Sequence, residues 1–512
     1  MDITLLLEMA ADAHPDRIAL GSRSGGITYR QFADTACKVG GEAADSDATA
    51  LGLLDLNGPV FPTLLFAAAY SGKPLCPLNY RLADDALNQA VERLAPAVLF
   101  AGESMRSRVG ECDGVTVRAS EEVTAPTGSS SAPDDLVHTP DGERPAVLLF
   151  TSGTTGTPKI AVLRHRHLWS YIVSSVEFGS AGEDEAILVS VPNYHIAGIA
   201  SVLSSVYAGR RMVYLSAFDP ELWVDTVLTE GITHAMVVPT MLGRILDVLE
   251  TRGQTLPTLR HLSYGGGRMP VDVVERAMRW LPEVGMVNAY GLTETSSTIA
   301  VLGPEDHRIA ATSADPQVRA RLGSVGRALP GVEIEIRDDA GAAVPVGQVG
   351  EVHVRGEQVA GEYVSHSAVA ADGWYPTRDH GYLDSEGFLF LQGRADDVIV
   401  RGGENIAPTE IEDVIVTHDA VDSVAVVGVP DQEWGERVEA VVVLQHDAGG
   451  QDLIAVQIQD MVRAALRSTR VPATVHFWDE LPFNETGKLL RRVVRDRLST
   501  TVGAGSATGG VR

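Results

Sequence analysis

A β-run enters a glycine- and hydroxyl-rich loop where the chain reads Leu149-Phe150-Thr151-Ser152-Gly153-Thr154-Thr155-Gly156-Thr157-Pro158-Lys159. Glycines let backbone N–H groups turn toward an oxyanion, hydroxyls add donors, and a lysine adds charge, so this composition reads as a phosphate cradle. The spacing is not that of a Walker A loop, because GxxxxGK[ST] is absent and Pro158 precedes the lysine. Hydroxyl- and glycine-rich loops are also common turn material, so the loop by itself leaves a plain surface turn open.

Four further motifs follow it in order. They are Asn288-Ala289-Tyr290-Gly291-Leu292-Thr293-Glu294, Trp374-Tyr375-Pro376-Thr377-Arg378-Asp379, Gly393-Arg394-Ala395-Asp396-Asp397 and Pro482-Phe483-Asn484-Glu485-Thr486-Gly487-Lys488. With the phosphate loop, this ordered set resembles the adenylate-forming superfamily: acyl- and aryl-CoA ligases, luciferases and peptide-synthetase adenylation domains. The resemblance runs through nearly the whole chain and is strongest to the acyl- and aryl-CoA ligases.

That resemblance implies an acid-thiol ligase. A carboxylate is a poor electrophile, since attack on it would have to expel an oxide; joined to the α-phosphate of ATP, it gains AMP as leaving group. The family pattern implies that Thr151, Ser152, Gly153, Thr154, Thr155, Gly156 and Lys159 wrap the β,γ-phosphates and manage pyrophosphate. It implies that Thr293 contacts the α-phosphate and that Glu294 holds Mg²⁺, an ion that needs few protein carboxylates when phosphate oxygens are available. Gly265, Gly266, Gly267, Asn288, Ala289, Tyr290 and Gly291 resemble the walls around adenine, with Tyr290 on the base. Asp379 is expected to accept from the ribose hydroxyls with Arg394 near it. Lys488 is expected to bridge carboxylate and α-phosphate, and Asp396 to be the hinge between two half-reactions.

The acceptor is expected to be coenzyme A. Arg401-Gly402-Gly403-Glu404-Asn405 resembles the CoA-ligase form, and Gly402 and Gly403 would admit a narrow pantetheine arm. They would equally build the turn before a helix at Pro408, and the same tunnel would serve a carrier protein's phosphopantetheine. A non-catalytic nucleotide-binding protein is the remote rival, and intact Lys159, Glu294, Asp379 and Lys488 speak against it. By the same analogy His195, Ile199, Val238, Tyr264 and Gly267 would line the acid pocket, with His195 as a candidate catalytic residue that could gate the pocket or contact the carboxylate. These are mostly apolar, which implies an aryl, alkyl or alicyclic monocarboxylate. Four positions depart from the family pattern: Ile160 and Arg378 stand where Gly is usual, Arg164 where a small hydroxyl is, and Arg268 where Pro is. Arg378 could change nucleotide affinity or reach a CoA phosphate.

The elements needed to position these residues are legible as alternating strands and helices from about Ala146 to Gly291. Asp219 and Pro220 read as N-cap and first position of a helix to Glu230. The alternation predicts an α/β fold with mainly parallel strands. Val325 to Leu391 reads as a small β subdomain and Ser120 to Arg144 as an exposed loop. The expected domains are a large N-terminal one over 1–393, with α/β layers and the β subdomain, a mobile small α+β domain over 394–500, and a disordered tail over 501–512.

The bulk numbers bound the partners. The formal charge of −27 argues against nucleic acid and anionic lipid. Cys37, Cys76 and Cys112 form no CxxC pair, which fits a reducing cytoplasm. The N-terminus lacks a basic n-region and no run is long enough for a membrane span. The expected partners are a small-molecule carboxylic acid, ATP, Mg²⁺ and CoA, with a carrier protein as the rival acceptor. Oligomeric state is left open, a homo-oligomer included.

Overall fold

The computed structural model describes residues 1–124, 139–151, 158–402, 404–431, 433–445, 450–483 and 489–505. It divides into two compact units, one of 1–334 with 353–376 and one of 335–352 with 377–512.

The first unit holds two large sheets. The nine-stranded sheet runs in the order Arg327–Ala328, Ser297–Leu302, Gly285–Leu292, His261–Gly265, His234–Val237, Ala186–Val189, Arg211–Tyr214, Ile18–Leu20, Ile27–Thr28. Its six strands from Gly285–Leu292 to Ile18–Leu20 pair in parallel, and antiparallel partners cover both edges. The eight-stranded sheet runs His366–Ser367, Glu362–Tyr363, Lys159–Arg164, Pro145–Thr151, Leu75–Pro77, Ala50–Leu54, Ala97–Ala101, Val115–Ala119. It is parallel from Pro145–Thr151 onward and antiparallel before it.

Parallel strands need crossovers, and the sequence supplies them with clear ends. The Pro220–Glu230 helix starts where Asp219 accepts from Leu222 N at 2.9 Å and stops at Gly231, whose φ of 61° satisfies the last carbonyls. Alternation along Ala186–Val189 sends Ile187 and Val189 into one core and Ala186 and Leu188 into another, so this sheet separates two hydrophobic cores.

The second unit carries the β-hairpin Tyr375–Leu383 and Leu389–Arg394, and a sheet of Glu404–Ile406, Ile399–Arg401, Gly435–Leu444, Val421–Asp431 and Thr474–Phe477. Helices Pro408–Ile415, Gln451–Ala465 and Arg491–Gly505 complete it. Arg491 donates to both carboxylate oxygens of Glu412, at 2.8 Å for Oε2, and at 3.0 Å to Val426 O, while Glu412 accepts from Val426 N at 2.7 Å.

The expected β subdomain over Val325 to Leu391 is corrected in one respect: it is not contiguous. Arg327–Ala328 joins the nine-stranded sheet, and Glu362–Tyr363 with His366–Ser367 joins the eight-stranded one. The last helix runs through Gly505, into the stretch expected to lack structure. Buried Val494 and Leu498 anchor its earlier turns, and propagation from an anchored turn is easy. Residues 506–512 lie outside the described residues.

Candidate active site

The phosphate loop is held at both ends by a β-hairpin. Thr151 pairs with Lys159 across the antiparallel strands, and Phe150 with buried Ile160. Ser152, Gly153, Thr154, Thr155 and Gly156 lie outside the described residues. Arg164, at the far end of the same strand, forks onto Glu362 at 2.8 and 2.7 Å. This departure from the family pattern therefore ties the hairpin to the neighbouring Glu362–Tyr363 strand.

That neighbouring strand also brings the loop lysine and Glu294 together. Lys159 Nζ sits 5.1 Å from the Tyr363 ring centroid, and Tyr363 Oη donates to Glu294 Oε1 at 2.5 Å. His366 stacks on the same ring at 5.1 Å. Glu294 is buried within a 3-10 turn over Thr293–Thr295, and its carbonyl accepts from Gly361 N at 2.8 Å. Two left-handed residues, Ser296 at φ 55° and Ser297 at φ 101°, follow at once. Such conformations persist only where the surroundings over-determine them. Here Gln358 Nε2 donates to Thr295 O and Thr298 O at 3.1 and 2.7 Å, and Thr295 Oγ1 donates to Ser297 O at 2.8 Å.

The expected adenine walls stand on two adjacent parallel strands, with Tyr264 opposite Asn288 and Gly265 opposite Ala289. A Cβ on Gly265 would meet Ala289 O at 2.4 Å, and one on Gly291 would meet Ser297 O at 1.8 Å, so neither position admits a side chain. Gly266 has a φ of 77° and Gly267 follows it, half-buried. Asn288 Nδ2 donates to Ser324 O at 3.0 Å, and Tyr290 is half-buried opposite Ala300.

His195 is the N-cap residue of the Ile196–Ala208 helix, but its side chain does not cap it. Its ring packs 4.6 Å from Tyr194, and its buried Nε2 has no hydrogen-bond partner among the described residues. Burial, with a smaller push from Arg81, lowers its pKa to about 4. The imidazole is neutral at pH 7. The other expected pocket residues divide between the two cores: Ile199 lies in one, Val238 and Tyr264 in the other. Tyr264 is fully buried, and its hydroxyl meets His307 Nε2 at 2.8 Å.

In the second unit, Asp379 pairs in register with Arg394, whose Nε is 3.8 Å from Asp379 Oδ1. The Asp379 amide donates to Thr377 Oγ1 at 3.1 Å, and that hydroxyl donates to Val352 O at 2.8 Å. Arg378 occupies a left-handed backbone, φ 65°, where the family pattern has glycine. Its Nη2 donates to Asp396 Oδ1 at 3.0 Å. Gly402 is also left-handed, at φ 59°, with its amide donating to Trp434 O at 2.8 Å. Gly403 and Lys488 lie outside the described residues.

A hard cation fits at Glu294. A buried carboxylate needs compensation, and the partner that Glu294 has on Oε1 is the neutral Tyr363 hydroxyl. No cluster of three or more metal-ligating side chains is present among the described residues. Tyr363 and Gln358 are the residues that sequence reasoning missed. Neither belongs to one of the recognised motifs.

Residues 7–364 match the family described as AMP-binding enzyme, and residues 410–488 match the AMP-binding enzyme C-terminal domain. A 2-succinylbenzoate–CoA ligase of Bacillus pumilus is 32% identical over 94% of this chain and 96% of its own length. A fatty acid–[acyl-carrier-protein] ligase, ScoC of Streptomyces coeruleorubidus, is 32% identical over 85% of this chain and 84% of its own. Among solved structures, o-succinylbenzoate coenzyme A synthetase of Bacillus subtilis in complex with ATP and magnesium superposes with a TM-score of 0.78. It is 26% identical, covering 95% of this chain and 98% of that one. No described helix is long and apolar enough to cross a membrane.

Proposed function

The chain belongs to the AMP-binding enzyme family, and on that premise we propose how its residues divide the work of an ATP-dependent carboxylic acid–CoA ligase. Acid and ATP give acyl-AMP and pyrophosphate; acyl-AMP and CoA then give acyl-CoA and AMP. The observation that carries this reading is the meeting of Glu294 and Lys159 on Tyr363, at the mouth of the phosphate loop.

In this reading Thr151 to Lys159 hold the β,γ-phosphates, and Thr293 donates to the α-phosphate. Glu294 holds Mg²⁺, which when bound offsets the charge of the phosphates. Asp379 accepts from the ribose hydroxyls, with Arg394 beside it. Lys488 stabilises charge growing between carboxylate and α-phosphate, a contribution on the order of 10²–10³ in rate. Asp396 is the pivot about which residues 394–500 change position between half-reactions. A neutral His195 with Ile199 and Val238 favours an apolar aryl, alkyl or alicyclic monocarboxylate. Three free cysteines fit a cytoplasmic setting.

The ScoC likeness supports a second acceptor, the phosphopantetheine of a carrier protein. Mass spectrometry of products from ATP, Mg²⁺ and a panel of acids, each with and without CoA, tests both. AMP with acyl-CoA, lost in Lys488→Ala, is the expected result. Acyl-adenylate that yields no thioester with CoA would overturn the choice of acceptor.

A further inference from the structure

We propose that Tyr363 is a positioning residue for the metal-binding carboxylate, its hydroxyl fixing the orientation of Glu294. This rests on the reading of Glu294 as the magnesium ligand. A Glu side chain in a short turn has several rotatable bonds, and a cation needs one orientation of its oxygens. The 2.5 Å bond from Tyr363 Oη ties Oε1 and so restricts the rotation of the carboxylate. A neutral phenol does this without supplying the positive charge that an Arg or Lys would bring in competition with the metal.

The ring is itself held in place. Tyr363 pairs with Ala161 in the eight-stranded sheet, and the stacked His366 lies 5.1 Å away. The preceding residue, Glu362, is forked by Arg164. Glu294 is held from its backbone too, through Gly361 N, two residues before Tyr363. One short segment, Gly361–Tyr363, therefore sets both the main chain and the side chain of Glu294. The contact of Lys159 with the same ring links the closing pair of the phosphate loop to that segment.

The test uses the full-length protein with Mn²⁺ in place of Mg²⁺ and a non-hydrolysable ATP analogue. Bound Mn²⁺ is read by electron paramagnetic resonance. Tyr363→Phe keeps the ring and its neighbours and removes only the hydroxyl. It is expected to weaken Mn²⁺ on the order of tenfold, the usual effect of losing a partner that orients a metal ligand. The KM for the acid should stay unchanged, and raised Mg²⁺ should restore the rate of pyrophosphate exchange, a recovery that a merely structural lesion does not show. Wild-type Mn²⁺ affinity in Tyr363→Phe, with weakened affinity in Glu294→Gln, would overturn the role of Tyr363 alone. Unchanged affinity in Glu294→Gln would overturn the metal-ligand reading and this proposal with it. A pyrophosphate-exchange rate that saturating Mg²⁺ leaves depressed would also overturn the role given to the hydroxyl.

Discussion

Replacing Arg378 by glycine should leave the protein at least as stable as it is, whereas replacing it by alanine should weaken it. The backbone at Arg378 has φ 65°, a region that costs an L-residue about 1–2 kcal/mol. Glycine removes that cost but gives back roughly 0.5–1 kcal/mol through the greater freedom of the unfolded chain. Both variants lose the bond to Asp396. That pair is 3.0 Å long, but the two side chains are 56% and 34% exposed, so it contributes no more than about 0.5 kcal/mol. Alanine loses the pair and keeps the strain. The expected order is therefore glycine at or above arginine, and arginine above alanine. The glycine–alanine gap should be about 1 kcal/mol, or about 2–4 °C in the unfolding midpoint for a unit of this size. Thermal unfolding at low and high salt separates the two effects, because salt screens the ion pair and leaves backbone strain untouched. An alanine variant as stable as the glycine one would refute the claim that this left-handed turn is strained. Unchanged KM values for ATP and CoA in the glycine variant would rule out a phosphate contact for Arg378.

Other outcomes follow from features of the two units. Glu412→Ala should destabilise the second unit toward the lower end of about 3–5 kcal/mol in urea unfolding, because it leaves the half-buried Arg491 guanidinium only Asp397 at 3.7 Å and the Val426 carbonyl; replacing both residues by methionine should cost less. Gly291→Ala should abolish nucleotide binding measured by calorimetry or prevent folding, since its methyl would overlap Ser297 O. Burial lowers the pKa of His195 and of His167 to about 4, and of His234 to about 3, against 6.5 when unfolded. Between those values the unfolded chain binds more protons, so the stability these neutral histidines confer is full above pH 6.5 and is lost as pH falls toward 4. The midpoint of thermal unfolding should drop across that window, and His234→Asn should flatten the slope.

The elements that carry their own signals were legible in the sequence. Asp219, Pro220 and Gly231 mark a helix through local chemistry alone, and the alternation from Ala186 to Leu249 predicts parallel strands that the structure contains. Two-residue strands such as Glu362–Tyr363 and Arg327–Ala328 have no period to detect. Their partners are fixed only by tertiary packing, which is why a β subdomain read over 325–391 takes in strands of the two large sheets. The site divides in the same way. Ordered motifs point to Glu294 and Asp379, but Tyr363 meets Glu294 only because a strand distant in sequence pairs beside the phosphate hairpin. The departure at Arg378 was visible as a residue type; that it sits in a left-handed turn beside Asp396 belongs to the backbone.

Two walls proposed for the acid pocket, Ile199 and Val238, belong to cores that the nine-stranded sheet keeps apart. A substitution that reshapes one wall disturbs the packing of only one core. A lineage drifting toward a different acid can thus explore one wall at a time, while the untouched core preserves the scaffold on which the next change is tried.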